Sequence, residues 1–391
     1  MVLESLSRLA VLALALAALW AILLALSRLR RLERVEVKPL LLIYRTGRVI
    51  EAGGSERRLY RVLRSFAWLG VPVAVLAAAL FYYAVGEAVY YRYFSPEPPA
   101  DGLQRGVVPL LPGVTIPIDV NLVLIAFSVG VAVLVHEVAH ALSAVSLGLR
   151  VKDSGLILLA FIPAAFVEID EESYKRASWS AKARVLTAGI LGNVLLAIFS
   201  LGALALAPAP QPEAVVIESV DPGTPAERSG LRPGDVVIRV ESTEVRDIAS
   251  FRRALEELGV FDESAEAFFS ITLLREGGEV EVTVYKPVGE KRLGVRLAHE
   301  YSGLGEALFY ALAFLNGVFL INLALAAVNA APLVVPSPWG SLATDGAQMV
   351  RETLSILVGE KNSSIVTSAL GLATLLLVIS VITLQPLRLV P

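Results

Sequence analysis

Residues 136–140 read His136-Glu137-Val138-Ala139-His140, inside an apolar run that extends from about Asn121 to Leu142. On a helix, histidines at i and i+4 stand only about 40° apart around the axis, so both imidazoles reach one metal ion. Glu137 follows the first histidine and can point at a water in the metal's open position, where a general base belongs. The chain has three histidines in all, and two of them stand in this one turn. Metal-assisted hydrolysis is the chemistry such a set performs. The alternative, a pair of core histidines beside a buried glutamate, is disfavoured: ionisable groups in a spanning helix are costly unless they serve a site.

Two histidines leave a zinc ion one protein ligand short. The chain has no cysteine, which excludes thiolate ligands and disulfides and leaves histidine or carboxylate. Asp345 stands in Thr344-Asp345-Gly346, at the start of a helical stretch. It either caps that helix or supplies the missing ligand. Glu168 is the carboxylate to consider if Asp345 does not serve. Asn193 ends the stretch Ala188-Gly189-Ile190-Leu191-Gly192-Asn193, whose glycines permit close helix approach. In lipid, Asn193 is either an interhelical hydrogen bond or a donor aimed at substrate.

The elements that must position these residues are read from hydropathy. Apolar residues make up 55% of the 391-residue chain, and the mean hydropathy is +0.67, a membrane composition. The net charge of −3 offers nothing to a polyanion, so no nucleic-acid partner is expected. Spans are expected at 6–26, 66–91, 119–147, 185–207, 307–328 and 365–384, the third carrying the metal motif toward its inner end. Arg28, Arg30, Arg31 and Arg34 place the segment up to Arg64 in the cytoplasm and the N-terminus outside. A hairpin around Thr46-Gly47 is expected within 40–50. Residues 155–167 are apolar but too short to span and contain Pro163, so they read as re-entrant or strand-like, tolerated only where protein covers them.

Residues 208–212 form a proline-rich linker, and the composition then becomes that of a soluble α+β domain. Strands are expected at 215–220, 267–274 and 280–284, a turn and strand over 231–240, and helices at 226–230 and 248–258. Following an outward-running span, this domain belongs outside the cytoplasm. The expected division is 1–64, an N-terminal anchor and basic segment; 65–118, a second span and external loop; 119–208, the first half of a membrane core; 212–298, the inserted domain; and 303–391, the second half of the core with the Asp-Gly pair.

Taken together, four motifs resemble the site-2 proteases, zinc-dependent intramembrane endopeptidases. They are His136-Glu137-Val138-Ala139-His140, Phe161-Ile162-Pro163 running to Glu168, Ala188 to Asn193, and Asn329-Ala330-Ala331-Pro332 ahead of Asp345-Gly346. The intervening Pro225-Ala226-Glu227-Arg228-Ser229-Gly230-Leu231-Arg232-Pro233-Gly234-Asp235 looks like a circularly permuted PDZ domain. The resemblance implies a polytopic α-helical membrane protein of about six transmembrane helices plus a re-entrant segment, with an inserted extramembrane PDZ-like domain. It implies Zn2+ held by His136, His140 and Asp345, Glu137 as catalytic base, and Asn193 as a catalytic residue near substrate or oxyanion. The substrates implied are transmembrane proteins in the lipid bilayer of the cell, cut beforehand by another protease. Leu293, Gly294 and Val295 match the loop with which a permuted PDZ domain holds a peptide carboxylate. The sequence departs from the pattern by inserting residues 333–344 before Asp345. Two other readings remain: a cation transporter, which calls for repeated halves that are not found, and an inactive PDZ-bearing scaffold.

Overall fold

The computed structural model describes residues 14, 16–27, 34–50, 58–95, 105–337 and 340–390. The chain divides into two compact units, 1–206 with 313–390, and 207–312. Among the described residues five helices are long and apolar enough to cross a membrane: Arg58–Tyr93, Val120–Ser146, Trp179–Leu206, Gly303–Ala330 and Asp345–Ser380. Of the span expected at 6–26, the described part is a shorter apolar helix, α1 (Leu16–Ser27); the remainder lies outside the described residues.

In the first unit, α2 (Arg58–Phe66) runs through a single 3-10 turn into α3 (Gly70–Tyr93). Helix α4 (Val120–Ser146) starts where the Asp119 side chain accepts the Asn121 N–H, and stops before Gly148 at φ +83, a left-handed position that suits glycine. Its 27 residues extend about 40 Å, more than the hydrocarbon thickness.

Four antiparallel strands form one sheet in the order β1 (Val35–Lys38), β2 (Leu41–Arg45), β3 (Val151–Leu159), β4 (Ile162–Ile169). The hairpin expected around Thr46-Gly47 is displaced: the turn lies at Pro39-Leu40, with Leu40 at φ +59, and Arg45 ends the strand. The alternation in Val35–Lys38, too short to read as a strand alone, becomes one by pairing with β2. The apolar segment 155–167 is strand in both directions, reversing at Ala160, φ +55, and so satisfies its backbone within the sheet. Gly155 is required by this sheet, since a side chain there would run into the Tyr44 carbonyl.

Helix α5 (Glu171–Arg176), capped by Asp170, leads to α6 (Trp179–Leu206). The latter begins six residues before the apolar span expected from 185, so Lys182 and Arg184 lie inside it. Both are anchored: Lys182 pairs with Glu352 at 2.9 Å, and Arg184 stacks over Trp68.

The second unit is a sheet of order β10-β5-β6-β8-β9, comprising β5 (Ala214–Val220), β6 (Val236–Val240), β8 (Ala267–Arg275), β9 (Gly278–Lys286) and β10 (Val295–Glu300), with β7 (Thr243–Glu244) paired to β6. Helices α7 (Pro225–Arg228) and α8 (Ile248–Glu257) complete it, α8 carrying an Asp247–Ser250 capping box. Ile217, Phe251, Leu255, Phe269 and Ile271 fill its core. The strand β10 lies beyond the expected strand set, which ended at 284. Its Val295-Arg296-Leu297-Ala298-His299-Glu300 lacks clean alternation and is strand through pairing with β5.

Helix α9 (Gly303–Ala330) returns the chain to the first unit, and the insertion 333–344 folds as a two-stranded hairpin, β11 (Val334–Ser337) with β12 (Gly340–Ala343). Helix α10 (Asp345–Ser380) contains Gly359 at φ 79, ψ 164, which no helix accommodates. On a straight helix Gly371 would stand about 39 Å from Asp345. Instead it packs against Val334, at the base of the hairpin that precedes Asp345, so the chain doubles back at Gly359. The limb 345–358 carries Asp345; the limb 360–380 is the last apolar span, a few residues earlier than expected.

Candidate metal centre

His136 lies ten residues before the end of α4, about 15 Å along the axis. Its Nε2 is 3.0 Å from His140 Nε2 and 3.1 Å from Asp345 Oδ2, and His140 Nε2 is 3.3 Å from the same oxygen. All three side chains are nearly buried, at 8%, 12% and 12% exposure. The opposite ring nitrogens are both engaged. His140 Nδ1 donates to the Val185 carbonyl at 2.8 Å, and His136 Nδ1 donates to Asn193 Oδ1 at 2.7 Å. A neutral imidazole protonated at Nδ1 carries a lone pair on Nε2. Two nitrogen lone pairs and a carboxylate oxygen therefore converge, and that oxygen, buried, receives no hydrogen bond.

Three acceptors this close are unfavourable unless a cation sits among them. A tetrahedral zinc with bonds of about 2.0–2.1 Å separates its ligand atoms by about 3.3–3.4 Å. The observed 3.0–3.3 Å fits that ion with little adjustment. His136, His140 and Asp345 are also the described set of ligating side chains that come together in this way.

One stripe of α6 builds the ring orientations. Val185, Gly189 and Asn193 recur every four residues and so share a face. The Val185 carbonyl takes His140, Asn193 takes His136, and Gly189 lies flat between them. A methyl group at Gly189 would stand 2.5 Å from both His136 Cε1 and His140 Nε2. The Asn193 amide donates to the Ala132 carbonyl at 2.9 Å and to Asn322 Oδ1 at 2.8 Å. Both of its hydrogens are thus held within the protein, which describes the interhelical one of the two roles left open for it.

Thr344, not Asp345, caps the last helix, its side chain accepting the Ala347 N–H, so the Asp345 carboxylate is left to face the histidines. The same Thr344 hydroxyl donates to the Ala331 carbonyl at 2.5 Å. The two ends of the inserted hairpin are thereby tied together, and the insertion leaves the aspartate beside the end of α9. Glu168 belongs to a different cluster, with Lys152 at 2.6 Å and Arg45 at 3.9 Å. Glu137 Oε2 accepts the Val167 N–H of β4 at 3.0 Å. The β3–β4 hairpin is therefore pinned to the motif helix by its outer strand. Val185 and Asn322 were not singled out by residue type, whereas Gly189 was, as one of the glycines expected to permit close helix approach. A backbone carbonyl leaves no mark in sequence, and Asn322 was legible only as one of two amides, with Asn316, inside the apolar span 307–328.

In the second unit, Leu293 and Gly294 form the turn into β10, with Gly294 at φ +86 and packed on Thr224. Their carbonyls accept the Ala226 and Asp221 N–H groups, at 3.0 Å and 2.8 Å, and Val295 opens β10 opposite Val220.

A two-histidine helix approached by an aspartate from another helix, in a core of apolar helices, is an arrangement that suits a membrane metallopeptidase. The chain belongs to peptidase family M50, whose profile matches residues 124–381. It is a multi-pass membrane protein of a metal-dependent protease family. Among curated proteins it is similar to the uncharacterized protein MJ0971 of Methanocaldococcus jannaschii, 26% identical over 195 residues, 49% of this chain and 47% of that one. It is also similar to the putative serine protease HhoA of Synechocystis, 35% identical over 75 residues, 19% of this chain and 18% of that one. The chain thus spans about half the length of the first relative and less than a fifth of the second.

Proposed function

We propose that the protein is an intramembrane zinc endopeptidase that cuts transmembrane segments of other membrane proteins. The observation that carries this is the convergence of His136 Nε2, His140 Nε2 and Asp345 Oδ2 within 3.3 Å of one another, with both Nδ1 atoms already donating elsewhere.

His136, His140 and Asp345 would hold a zinc ion, which would supply Lewis acidity toward a scissile carbonyl and toward an attacking water near neutral pH. Glu137 takes the proton of that water. Its Oε2 is fixed by the Val167 N–H, leaving Oε1 as the basic atom. The same carboxyl then delivers the proton to the leaving amide nitrogen. A helical peptide bond is shielded and its carbonyl already hydrogen-bonded, so the substrate unwinds locally before attack. The terminal strand β4 offers the unwound segment a place, because its partner β3 covers only one edge. The Val167 N–H leaves the sheet toward Glu137, which sets that free edge beside the base. Main-chain pairing along it holds the substrate extended.

The unit 207–312 is read as a permuted PDZ domain. Strand β10 is an edge strand entered from Leu293-Gly294-Val295, and α8 packs beside it, which suits capture of a peptide terminus along β10. In this reading the domain lies outside the cytoplasm in the cell membrane's multi-pass topology, and takes the new C-terminus left by an earlier cut. Metal analysis of the purified protein tests the central assignment: one zinc per chain, with most of it lost in His140→Ala. Full metal and full activity in Asp345→Ala would remove the third ligand from the account.

A further inference from the structure

The metal-facing state of His136 is set from a third helix. Two backbone carbonyls, those of Ala132 and Val318, can only accept hydrogen bonds, and they fix the direction of everything between them. Asn322 Nδ2 donates to the Val318 carbonyl at 2.7 Å, so Asn322 Oδ1 faces Asn193 as an acceptor. Asn193 Nδ2 donates one hydrogen to that oxygen and the other to the Ala132 carbonyl, at 2.8 Å and 2.9 Å. Only its oxygen is then left for His136, and His136 must donate from Nδ1. Turning either amide over sets oxygen against oxygen at a carbonyl and nitrogen against nitrogen at the next link. Both asparagines are fully buried, so no water can substitute for a lost partner.

We infer that Asn322 on α9 is a positioning residue for the metal centre: it locks the Asn193 amide, which holds the His136 ring with its Nε2 lone pair on the metal. This rests on the metal-centre reading above and extends it. Asn322 touches neither metal nor substrate, and it lies on the helix that also leads to Asn329 and, through the hairpin, to Asp345. The link therefore couples the orientation of a ligand on α4 to the placement of α9. Partners of this kind around metal-bound histidines change metal affinity by about 10–100-fold.

The test is zinc affinity, measured by competition with a chromophoric chelator on the full-length protein in detergent, without reference to proteolysis. Asn322→Leu is expected to weaken zinc by about 10-fold and Asn193→Leu by up to about 100-fold. Because one acts through the other, the double variant should bind no more weakly than Asn193→Leu alone. Asn322→Asp keeps the side-chain shape and, as the neutral acid, offers both an O–H donor to the Val318 carbonyl and an acceptor oxygen to Asn193, so it should retain near-normal affinity. Should Asn322→Leu fail to fold, Asn322→Ser, too short to reach Asn193, carries the same expectation of loss. Unchanged affinity in the Leu or Ser variant, or losses that multiply in the double variant, would overturn the proposal while leaving the metal centre intact. Wild-type protein that binds no zinc, or His136→Ala that binds it normally, would overturn the metal-centre reading and this proposal together.

Discussion

Gly346 lies so close to the Ala330 carbonyl that a methyl group on it would overlap that oxygen. The first turn of α10 is therefore seated directly on the last turn of α9, and Asp345, one residue earlier, inherits its place from that contact. The hairpin inserted between them loops away and returns, tied by Thr344 to Ala331 and Leu333.

Gly346→Ala should accordingly displace Asp345 without touching either histidine. We expect zinc affinity to fall by about 10-fold or more, with the fold of the chain retained. Shortening the hairpin while keeping Leu333 and Thr344 should cost far less. Equal losses in the two variants would show that the insertion, and not the glycine seat, places the aspartate.

Gly189→Ala probes the other side of the centre. The added methyl would meet both imidazoles at 2.5 Å, whereas at Gly202 on the same helix nothing stands within 4 Å. Helix propensity favours alanine at both positions by about 1 kcal/mol. Zinc loss in Gly189→Ala, beside a Gly202→Ala variant as stable as or more stable than wild type, is the expected pair of results in metal analysis and thermal unfolding.

Much of this was legible in sequence, for reasons that differ by residue. The spacing of His136 and His140 states its purpose through helix geometry alone, and the lack of cysteine narrows the third ligand to few types. Span positions followed from apolar runs to within a few residues; at α6 the start moved to take in Lys182, whose pairing with Glu352 lets a polar turn join an apolar helix. Pairing decided what periodicity could not: Val35–Lys38 and Val295–Glu300 are strands because β2 and β5 lie beside them. The fold-back at Gly359 was hidden because one glycine among helix formers carries no signal of its φ. Asn322 was hidden because its meaning lies in Asn193, 129 positions away.

In the unit 207–312, Asp235 is 2% exposed and receives Arg275 Nε and Nη2, each at 2.7 Å, and the Arg232 N–H. Burial pushes its carboxyl up, but these bonds and the guanidinium charge outweigh burial and hold it below the usual aspartate value. A group lowered in the folded state stabilises it fully above the unfolded value of about 3.9 and loses that contribution as pH falls through the folded value. Arg275→Leu should weaken this unit by about 3 kcal/mol at neutral pH, the low end for a broken buried pair. Hydrogen exchange of β6 and β8 under mild urea would measure it, and the gap from wild type should close below about pH 4. A gap that persists unchanged in acid would assign the effect to packing.

Ser229→Cys introduces a lone thiol into a cysteine-free chain, on the unit 207–312. Labelling by an impermeant maleimide on intact cells is expected from the extracytoplasmic placement. Labelling only after lysis, beside a cytoplasmic control that behaves normally, would invert the topology.

The most direct test of the account joins metal content and cleavage in one pair of samples, wild type and Glu137→Gln. The substitution keeps the side-chain shape and the contact to the Val167 N–H while removing the basic oxygen. With a helix-destabilised transmembrane peptide in detergent, wild type should cleave, and Glu137→Gln should retain full zinc and bind the peptide while losing cleavage by about 10²–10⁴-fold, the range for a positioned general base. Near-normal proteolysis by the Gln variant, or zinc-loaded wild type that cleaves no such substrate and instead carries zinc across liposomes, would contradict it.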